Sequence, residues 1–164
     1  MSERTIESGL KAGDELQIFI PGKPKGKQRP RVVRGHAFTP QQTKDYELMI
    51  ANLYRALHGK MIDGYVSVEI YVLYLVPKSY TKKKQEQIRR RELLPAVKPD
   101  IDNIIKIVLD GLNGVAYKDD AQVIEVTAKK VYTFIEQEEG VIVSVEEYRP
   151  LTRSDEEWNL PMSR

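Results

Sequence analysis

The amino-acid sequence predicts a single domain of the α+β class (α/β mixed), in which helices pack on a β-sheet. The chain has 164 residues, which fits one domain, and its content of 41% hydrophobic and 30% charged residues is ordinary for a soluble globular protein. Segments whose apolar residues recur with the period of a β-strand alternate with segments whose apolar residues recur with the period of an α-helix. We expect the domain to span residues 15–149, with a flexible leader at residues 1–14 and a polar tail at residues 150–164.

The strand patterns cover residues 15–20, 65–76, 123–135 and 141–148. The second of these is the clearest, and its second half is apolar on both faces, so we expect it at the centre of the sheet. Residues 136–140 are expected to join the last two strands as a hairpin. A shorter hairpin is expected where Val32-Val33 and Ala37-Phe38 flank Arg34.

Three segments have helix patterns. Thr39-Pro40 is expected to open the first helix, with Thr39 as the N-cap, Pro40 at the first helical position and Gln42 three residues after the cap. The predicted buried stripe of this helix comprises Tyr46, Met49, Ile50, Leu53 and Leu57. Residues 77–92 are expected to form a helix capped by Thr81, which is weakly held because it has few apolar residues to bury.

The third helix follows Asp100 and is predicted by apolar residues at the spacing of a one-sided helix, until Asn113-Gly114 ends it. The stripe comprises Ile101, Ile104, Ile105, Val108, Leu109 and Leu112. Asp100 and Asp102 therefore lie at the helix start, and Asp119 and Asp120 lie in the loop or strand start that follows. Four carboxylates at the ends of two rigid elements suit a divalent cation.

A polar face of the same helix carries Asp102, Lys106 and Asp110, because residues four apart lie together on a helix. The carboxylate of Asp102 can hold a metal, and the ammonium group of Lys106, one turn later, can hold a phosphate. We interpret Asp110, a further turn along, as structural. A purely structural interpretation also stays open. Asp100 is a good N-cap, Asp102 suits the helix dipole and can pair with Lys106, and Lys-Asp-Asp at residues 118–120 is ordinary turn chemistry.

The composition restricts the choice of metal. The chain has no cysteine, which excludes disulfides and thiolate zinc sites, so a metal site must use oxygen ligands, with His36 and His58 as the available imidazoles. We interpret His58 as a helix-terminal residue and His36 as a polar hairpin residue. Oxygen ligands favour Mg²⁺ or Mn²⁺. No apolar run reaches the length of a membrane span and no signal-peptide core is present, so we expect a cytoplasmic protein.

Charge is unevenly distributed, although the net charge is only +2. Residues 23–34 contain six basic residues and no acidic one, and residues 78–91 contain seven basic residues and one acidic one. The candidate DNA contacts in these segments are Lys23, Lys25, Lys27, Arg29, Arg31, Arg34, Lys82, Lys83 and Lys84. Cations without a counter-charge favour a polyanionic partner, while a solvated loop and a solvated helix are the alternatives.

Three short motifs occur together in the central stretch. They are Lys-Pro-Asp-Ile-Asp-Asn-Ile-Ile-Lys at residues 98–106, Leu-Asp-Gly-Leu-Asn-Gly at residues 109–114 and Tyr-Lys-Asp-Asp-Ala-Gln-Val at residues 117–123. In this order and spacing they resemble the RusA family of Holliday-junction resolvases. The basic Gly-Lys-Pro…Arg-Pro-Arg stretch near the N-terminus is also similar to the family's, which extends the resemblance over residues 15–148.

The resemblance implies a mixed sheet with helices packed on it, and a metal-dependent endodeoxyribonuclease that makes paired cuts in four-way DNA junctions. It implies that Asp100, Asp102 and Asp120 are the essential acidic ligands of Mg²⁺ or Mn²⁺. Asp119 is then a fourth ligand or supports the others, and Lys106 contacts the scissile phosphate.

The resemblance also implies a homodimer, and a two-fold dimer would present two equivalent sites to a two-fold junction. Ile107 projects on the polar side of its helix, where it needs cover. A second subunit could provide that cover, but a loop of the same chain is the interpretation that we prefer.

Other functions are compatible with the residues alone. In a DNA-binding module without catalysis, the acidic residues would only cap helices. A flap nuclease or a general nuclease of branched DNA would share the same chemistry. A sugar-nucleotide transferase with an Asp-x-Asp metal site is disfavoured, because the chain lacks a Gly-rich turn between a strand and a helix.

Overall fold

The centre of the protein is a four-stranded β-sheet that carries two packed helices. The computed structural model describes residues 15–150. In chain order the elements are β1 (Leu16–Pro21), β2 (Arg31–Val33), β3 (His36–Phe38), α1 (Gln41–Ala56), β4 (Val66–Leu75), α2 (Lys82–Arg89), α3 (Ile101–Leu112), β5 (Val123–Thr133) and β6 (Gly140–Glu147). Short 3₁₀ helices at Asp120–Gln122 and Glu136–Glu138 precede β5 and β6.

The strand order in the sheet is β1-β6-β4-β5. Strand β6 pairs antiparallel with β1 and β4, whereas β5 pairs parallel with β4. The predicted α+β fold with a mixed sheet is therefore confirmed. The predicted hairpin between the last two strands is wrong, because β4 lies between β5 and β6. Strand periodicity reports which face a strand buries and carries no information on which neighbour it pairs with.

Strand β4 occupies the centre of the sheet, as predicted. Its residues alternate between buried and half-buried along its whole length, and it is hydrogen-bonded on both edges. The buried residues Val66, Val68, Ile70, Val72 and Tyr74 belong to the main core, together with residues of α1 and α3. The two helices therefore cover this face of the sheet.

Helix α1 begins later than predicted. Pro40 occupies the N-cap position and no side chain caps the helix, so the prediction of Thr39 as N-cap is wrong. Tyr46 and Ile50 are buried as expected, but Leu57 follows the helix and is 47% exposed. Tyr54, which was not predicted, is buried on the inner face of α1 instead of Leu57. Its hydroxyl donates to the carbonyl of Lys60 at 2.7 Å.

Helix α2 is held by few contacts. Its Thr81 cap is confirmed, since the Thr81 hydroxyl accepts from the Lys84 amide at 3.3 Å, and Ile88 is its one buried residue. The lysines of its first turn are exposed. Among residues 15–150, no helix is both long and apolar enough to cross a membrane.

Helix α3 buries a wider face than its apolar spacing predicts. Ile104, Val108 and Leu112 are buried as expected, but Ile101 is 38% exposed and Ile107 is fully buried. Residues 25–27 line the same cavity as Ile107. The Lys27 amide donates to the Asn103 carbonyl at 2.7 Å, which fixes this segment on the helix. The cover for Ile107 thus comes from its own chain, as preferred above.

Helices α1 and α3 approach each other closely at Gly111. A Cβ atom at Gly111 would lie 2.8 Å from the Ile50 Cβ and 3.0 Å from its Cγ2, closer than packed carbon atoms tolerate. We expect Gly111→Ala to lower the free energy of unfolding by about 1–3 kcal/mol, despite the higher helix propensity of alanine. Urea denaturation measures this difference.

The matched control for Gly111→Ala is Lys44→Ala on the exposed face of α1. We expect this substitution to change the free energy of unfolding by no more than about 0.5 kcal/mol. A Gly111→Ala protein as stable as the wild type would contradict the close helix contact.

Candidate functional site

The first pair of predicted ligands lies at the N-terminal end of α3. Asp100 occupies the N-cap position with extended backbone, and Asp102 lies in the first turn. The Asp100 carboxylate makes no capping hydrogen bond to the helix. Instead, Lys98 Nζ donates to its Oδ1 at 2.7 Å and its Oδ2 at 2.5 Å. The alternative in which Asp100 caps the helix with its side chain is therefore wrong.

Both carboxylates are open to solvent and each faces a lysine. The Asp100 side chain is 52% exposed and that of Asp102 is 64% exposed. Lys106 Nζ lies 3.7 Å from Asp102 Oδ2, one turn along the helix as predicted. The hydrogen bond from Lys98 lowers the pKa of Asp100; slight desolvation opposes this, and the charges of Lys98 and Lys130 act with the hydrogen bond. Exposed ion pairs are weak, so a divalent cation can displace these ammonium groups.

The second acidic pair lies in the turn before β5. The Asp119 carboxylate accepts from the Ala121 amide at 2.8 Å and caps the 3₁₀ helix, which is the turn chemistry considered above. Gln122 closes this turn, because its Oε1 accepts from the amides of Lys118 at 2.8 Å and Asp119 at 3.2 Å. Asp120 is exposed at the start of the same turn.

The two acidic pairs are not brought together within one chain. Lys130, near the end of β5, contacts the segment before Asp100, whereas Asp119 and Asp120 precede the first residue of β5. The Tyr117 hydroxyl donates to the Leu109 carbonyl at 2.7 Å, in the C-terminal half of α3. Burial raises the pKa of Tyr117, and the nearby charges of Asp120 and then Asp110 raise it further. Asp120 therefore lies toward the opposite end of α3 from Asp100.

Within residues 15–150 of the single chain, no three His, Asp or Glu side chains are grouped so that they could hold a metal ion. The structure unites Asp100, Asp102 and Lys106, and it places Asp119 and Asp120 elsewhere. His36 is exposed in β3, and His58 is exposed after the end of α1 with a positive φ of 56°. Neither imidazole joins Asp100 and Asp102 in a group of three possible metal ligands within the described residues.

The basic segment of residues 23–31 crosses α3 and differs from expectation at Lys27. Lys27 Nζ contacts the carboxylates of Glu47 and Asp110, the latter at 2.7 Å. Desolvation lowers the pKa of Lys27, but the hydrogen bonds and charges of Asp110 and Glu47 outweigh it and raise the pKa overall. The prediction that this segment lacks counter-charges is wrong for Lys27. The contact also gives Asp110 the structural role expected for it.

The other candidate DNA contacts lie on the surface. Exposed side chains are found at Lys23, Lys25, Arg29, Arg34, Lys82, Lys83 and Lys84. The predicted hairpin of the basic segment is confirmed as β2 and β3, joined by Arg34 and Gly35, both with positive φ. The side chain of Arg31 lies outside the described part of the structure.

A cavity of about 460 Å³ connects residues 25–28 of the basic segment with Asp100. Lys25, Gln28 and Gln42 line one part of it, and Lys98 and Asp100 line another. This continuity gives a polyanionic strand a path from exposed cations to the carboxylates.

Two side chains that anchor the acidic segments to the fold were not singled out by sequence reasoning. Gln122 Nε2 donates to the carbonyls of Ile62 at 2.9 Å and Gly64 at 2.8 Å, so this side chain ties the second acidic turn to the segment that precedes β4. Lys130 Nζ donates to the carbonyls of Val97 and Pro99, both at 2.6 Å. The signal for Gln122 was its place in the third motif, whereas nothing in the sequence separates Lys130 from Lys129.

Comparison with known proteins defines the class and then the family. A family described as endodeoxyribonuclease RusA matches residues 21–155, so the chain belongs to a class of DNA-cleaving enzymes. The chain is a member of the RusA family, and the resemblance in its three motifs is confirmed. At the level of the family, it is an endonuclease of Holliday junctions.

A relative in Bacillus subtilis (strain 168), described as "Uncharacterized protein YqaN", is 35% identical over 129 residues. The match covers 73% of this chain and 89% of the relative. Similarity therefore extends over most of both proteins and is not confined to the acidic motifs.

Lys27 and Lys25 differ in their surroundings, and substitutions should separate their roles. We expect Lys27→Met to lower the free energy of unfolding by about 1–2 kcal/mol, because it leaves two neighbouring carboxylates without a cation. The raised pKa means that Lys27 contributes this stability below its ordinary pKa of 10.5, and that the contribution is lost as the pH rises above it. Thermal unfolding between pH 7 and 11 measures both effects.

Lys25→Met is the matched control, since Lys25 is exposed in the same segment. We expect it to leave stability within about 0.5 kcal/mol and to weaken DNA binding measurably at low salt. Equal losses of stability in the two variants would contradict the ion-pair assignment for Lys27.

Proposed function

We propose that this protein is a divalent-metal-dependent endodeoxyribonuclease that resolves four-way DNA junctions by paired hydrolysis of phosphodiesters in DNA recombination and repair. The observation that carries the proposal is the Asp100–Asp102 pair at the N-terminus of α3, with Lys106 one turn away, in a chain of the RusA family. A cytoplasmic location follows from this substrate.

Asp100 and Asp102 fit a Mg²⁺ or Mn²⁺ site in the kind of donor that they offer. Both are solvent-exposed carboxylates at the end of a rigid helix, and neither is committed to a capping hydrogen bond. Mg²⁺ keeps several waters and is held by one or two carboxylates, so two oxygen donors from this chain are compatible with it. When bound, the metal would supply an activated water and charge neutralisation at the phosphate.

Lys106 is the second functional group of this end of the helix. Its ammonium group is 63% exposed and only loosely paired with Asp102. If Asp102 engages a cation, the ammonium group is released toward the solvent side of the helix, where the scissile phosphate would lie. There it would stabilise the negative charge that develops on the phosphate oxygens.

Exposed cations of the basic segment and of helix α2 would bind the duplex arms. Residues 25–28 of the basic segment line the same cavity as Asp100. Helix α2 adds Lys82, Lys83 and Lys84. We assign Lys27 to the support of this surface, because its charge is neutralised by Glu47 and Asp110.

A homodimer completes the proposal, because one chain brings together only two of the four acidic residues. In a two-fold dimer, the turn with Asp119 and Asp120 from one copy can approach Asp100 and Asp102 of the other. Each dimer would then contain two equivalent sites, which matches paired cuts in a two-fold junction.

Removal of the Asp102 carboxylate tests catalysis. We expect Asp102→Asn to reduce cleavage of a labelled four-way junction in Mg²⁺ by about 1,000-fold, while junction binding in EDTA is unchanged or slightly tighter. Gel assays with four-way, flap and linear duplex substrates measure the rate and the preferred substrate. Asp45→Asn, an equal loss of charge on the exposed surface of α1, is the control.

The same assay separates the alternatives. Retained cutting by Asp102→Asn would refute the role of this carboxylate, and a wild-type protein that binds but never cuts would be a non-catalytic junction-binding protein. Preference for a flap would replace the junction as substrate while leaving the metal chemistry intact.

Mixing two inactive variants tests the shared site. If Asp102 and Asp120 act together across a dimer, a heterodimer of Asp102→Asn and Asp120→Asn chains keeps one site with both carboxylates intact. Random exchange of subunits should restore strand nicking to about one quarter of the wild-type level, because half of the dimers have one intact site of two. If the two residues act within one chain, every site stays defective and the mixture remains inactive.

A further inference from the structure

The segment that leads into the acidic pair has little support of its own. Residues 90–100, between α2 and α3, contain no regular secondary structure. Leu94 is 59% exposed and Val97 is 42% exposed, and the one buried residue of the segment is Pro95. Between Pro95 and Asp100, residues 96–98 are exposed and Pro99 is half-buried, so polar contacts of the backbone contribute to the position of Asp100.

Lys130 of β5 makes two of those contacts. Its Nζ donates to the Val97 carbonyl and to the Pro99 carbonyl, each at 2.6 Å. The Pro99 carbonyl belongs to the peptide plane that joins Pro99 to Asp100. The Val97 carbonyl belongs to the plane that joins Val97 to Lys98, and the Lys98 side chain holds the Asp100 carboxylate. One ammonium group thus fixes the planes on both sides of the Lys98–Pro99 unit.

The register of the sheet aims Lys130 at this segment and turns Lys129 away from it. Lys130 lies opposite Val72, a fully buried residue on the face that the helices cover. Lys129 lies opposite Tyr71, on the other face, and its Nζ is 6.0 Å from the centre of the Tyr71 ring. Two adjacent lysines of equal charge therefore have different surroundings.

The contacts of Lys130 also distinguish it from a DNA-binding lysine. Its ammonium group has two of three donors occupied by carbonyls and lies 5.8 Å from the centre of the Tyr74 ring. Lysines that bind phosphates need their donors free toward solvent. Charge alone would assign Lys130 to the DNA surface, but its hydrogen bonds connect it to the protein backbone.

We propose that Lys130 is a positioning residue that holds the Lys98–Asp100 segment, and thereby the Asp100–Asp102 pair, in the geometry that DNA cleavage requires. The inference rests on the proposed nuclease function for its effect on rate. Its structural part, the fixing of the segment before α3, is independent of catalysis.

Hydrogen exchange of the metal-free, DNA-free protein tests the structural part. In Lys130→Met, which keeps the side chain's approximate length and loses its donors, we expect amides of residues 96–103 to exchange about tenfold faster than in the wild type. In Lys129→Met we expect no change in these amides. If Lys130→Met does not fold, the same measurement is made on Lys130→Gln, which is too short to keep both bonds.

Kinetics test the effect on the reaction. We expect Lys130→Met to lower the single-turnover rate of junction cleavage about 100-fold, because a displacement of about 1 Å is enough for such a loss, while the Kd for the junction in EDTA stays within about twofold. Lys129→Met should leave the cleavage rate unchanged. Unchanged exchange in residues 96–103, an effect on Kd alone, or an equal effect of Lys129→Met would each overturn the assignment.

The two readouts keep this inference separate from the proposed function. A wild-type protein that cuts no DNA would refute the nuclease proposal, while hydrogen exchange would still decide whether Lys130 holds the segment. Cleavage by the wild type with normal exchange in Lys130→Met would refute the role of Lys130 alone.

Discussion

The packing of α3 between the sheet, α1 and the basic segment is the constraint on which the proposed site depends. Gly111 lets α1 approach closely near the C-terminal end of α3. One turn earlier in α3, Ile107 is buried and lines the same cavity as residues 25–27. The bond from the Lys27 amide to the Asn103 carbonyl lies within one turn of Asp102. The contacts that stabilise the helix therefore also place the basic segment beside the start of the helix.

The ion pairs near α3 differ in their exposure to solvent. Lys27 forms ion pairs with Glu47 and Asp110, whereas Lys23, Lys25 and Arg29 of the same segment are exposed. At the helix start, Lys98 and Lys106 neutralise Asp100 and Asp102 through exposed pairs, which contribute little to stability and are readily exchanged. The less exposed contacts of Lys27 with Glu47 and Asp110 thus support the fold. The exposed pairs of Asp100 and Asp102 with lysines are suited to exchange partners.

The sequence predicted local features well and relations between elements poorly. Apolar period and cap chemistry placed the central strand, α3 and the Thr81 cap, because these depend on residues within a few positions. The pairing of β5 and β6 and the separation of Asp120 from Asp102 depend on strand order and on the direction of α3 along β5, which local period does not encode. Lys129 and Lys130 have different surroundings only because the sheet register places them on opposite faces. The burial of Ile107 depends on a segment about 80 residues earlier in the sequence.

Strand β5 sets the distance between the two acidic pairs. Gln122, just before its first residue, ties the Asp119–Asp120 turn to residues 62–64, and Lys130 ties the segment before Asp100. These two anchors are eight residues apart in the sequence, which corresponds to about 26 Å along an extended strand. From Glu125 to Thr133 every residue of β5 pairs with β4, so β5 cannot shorten without loss of ladder hydrogen bonds. The four carboxylates of one chain are therefore held apart by the fold itself, and a site that uses all of them requires a second copy to supply the other pair.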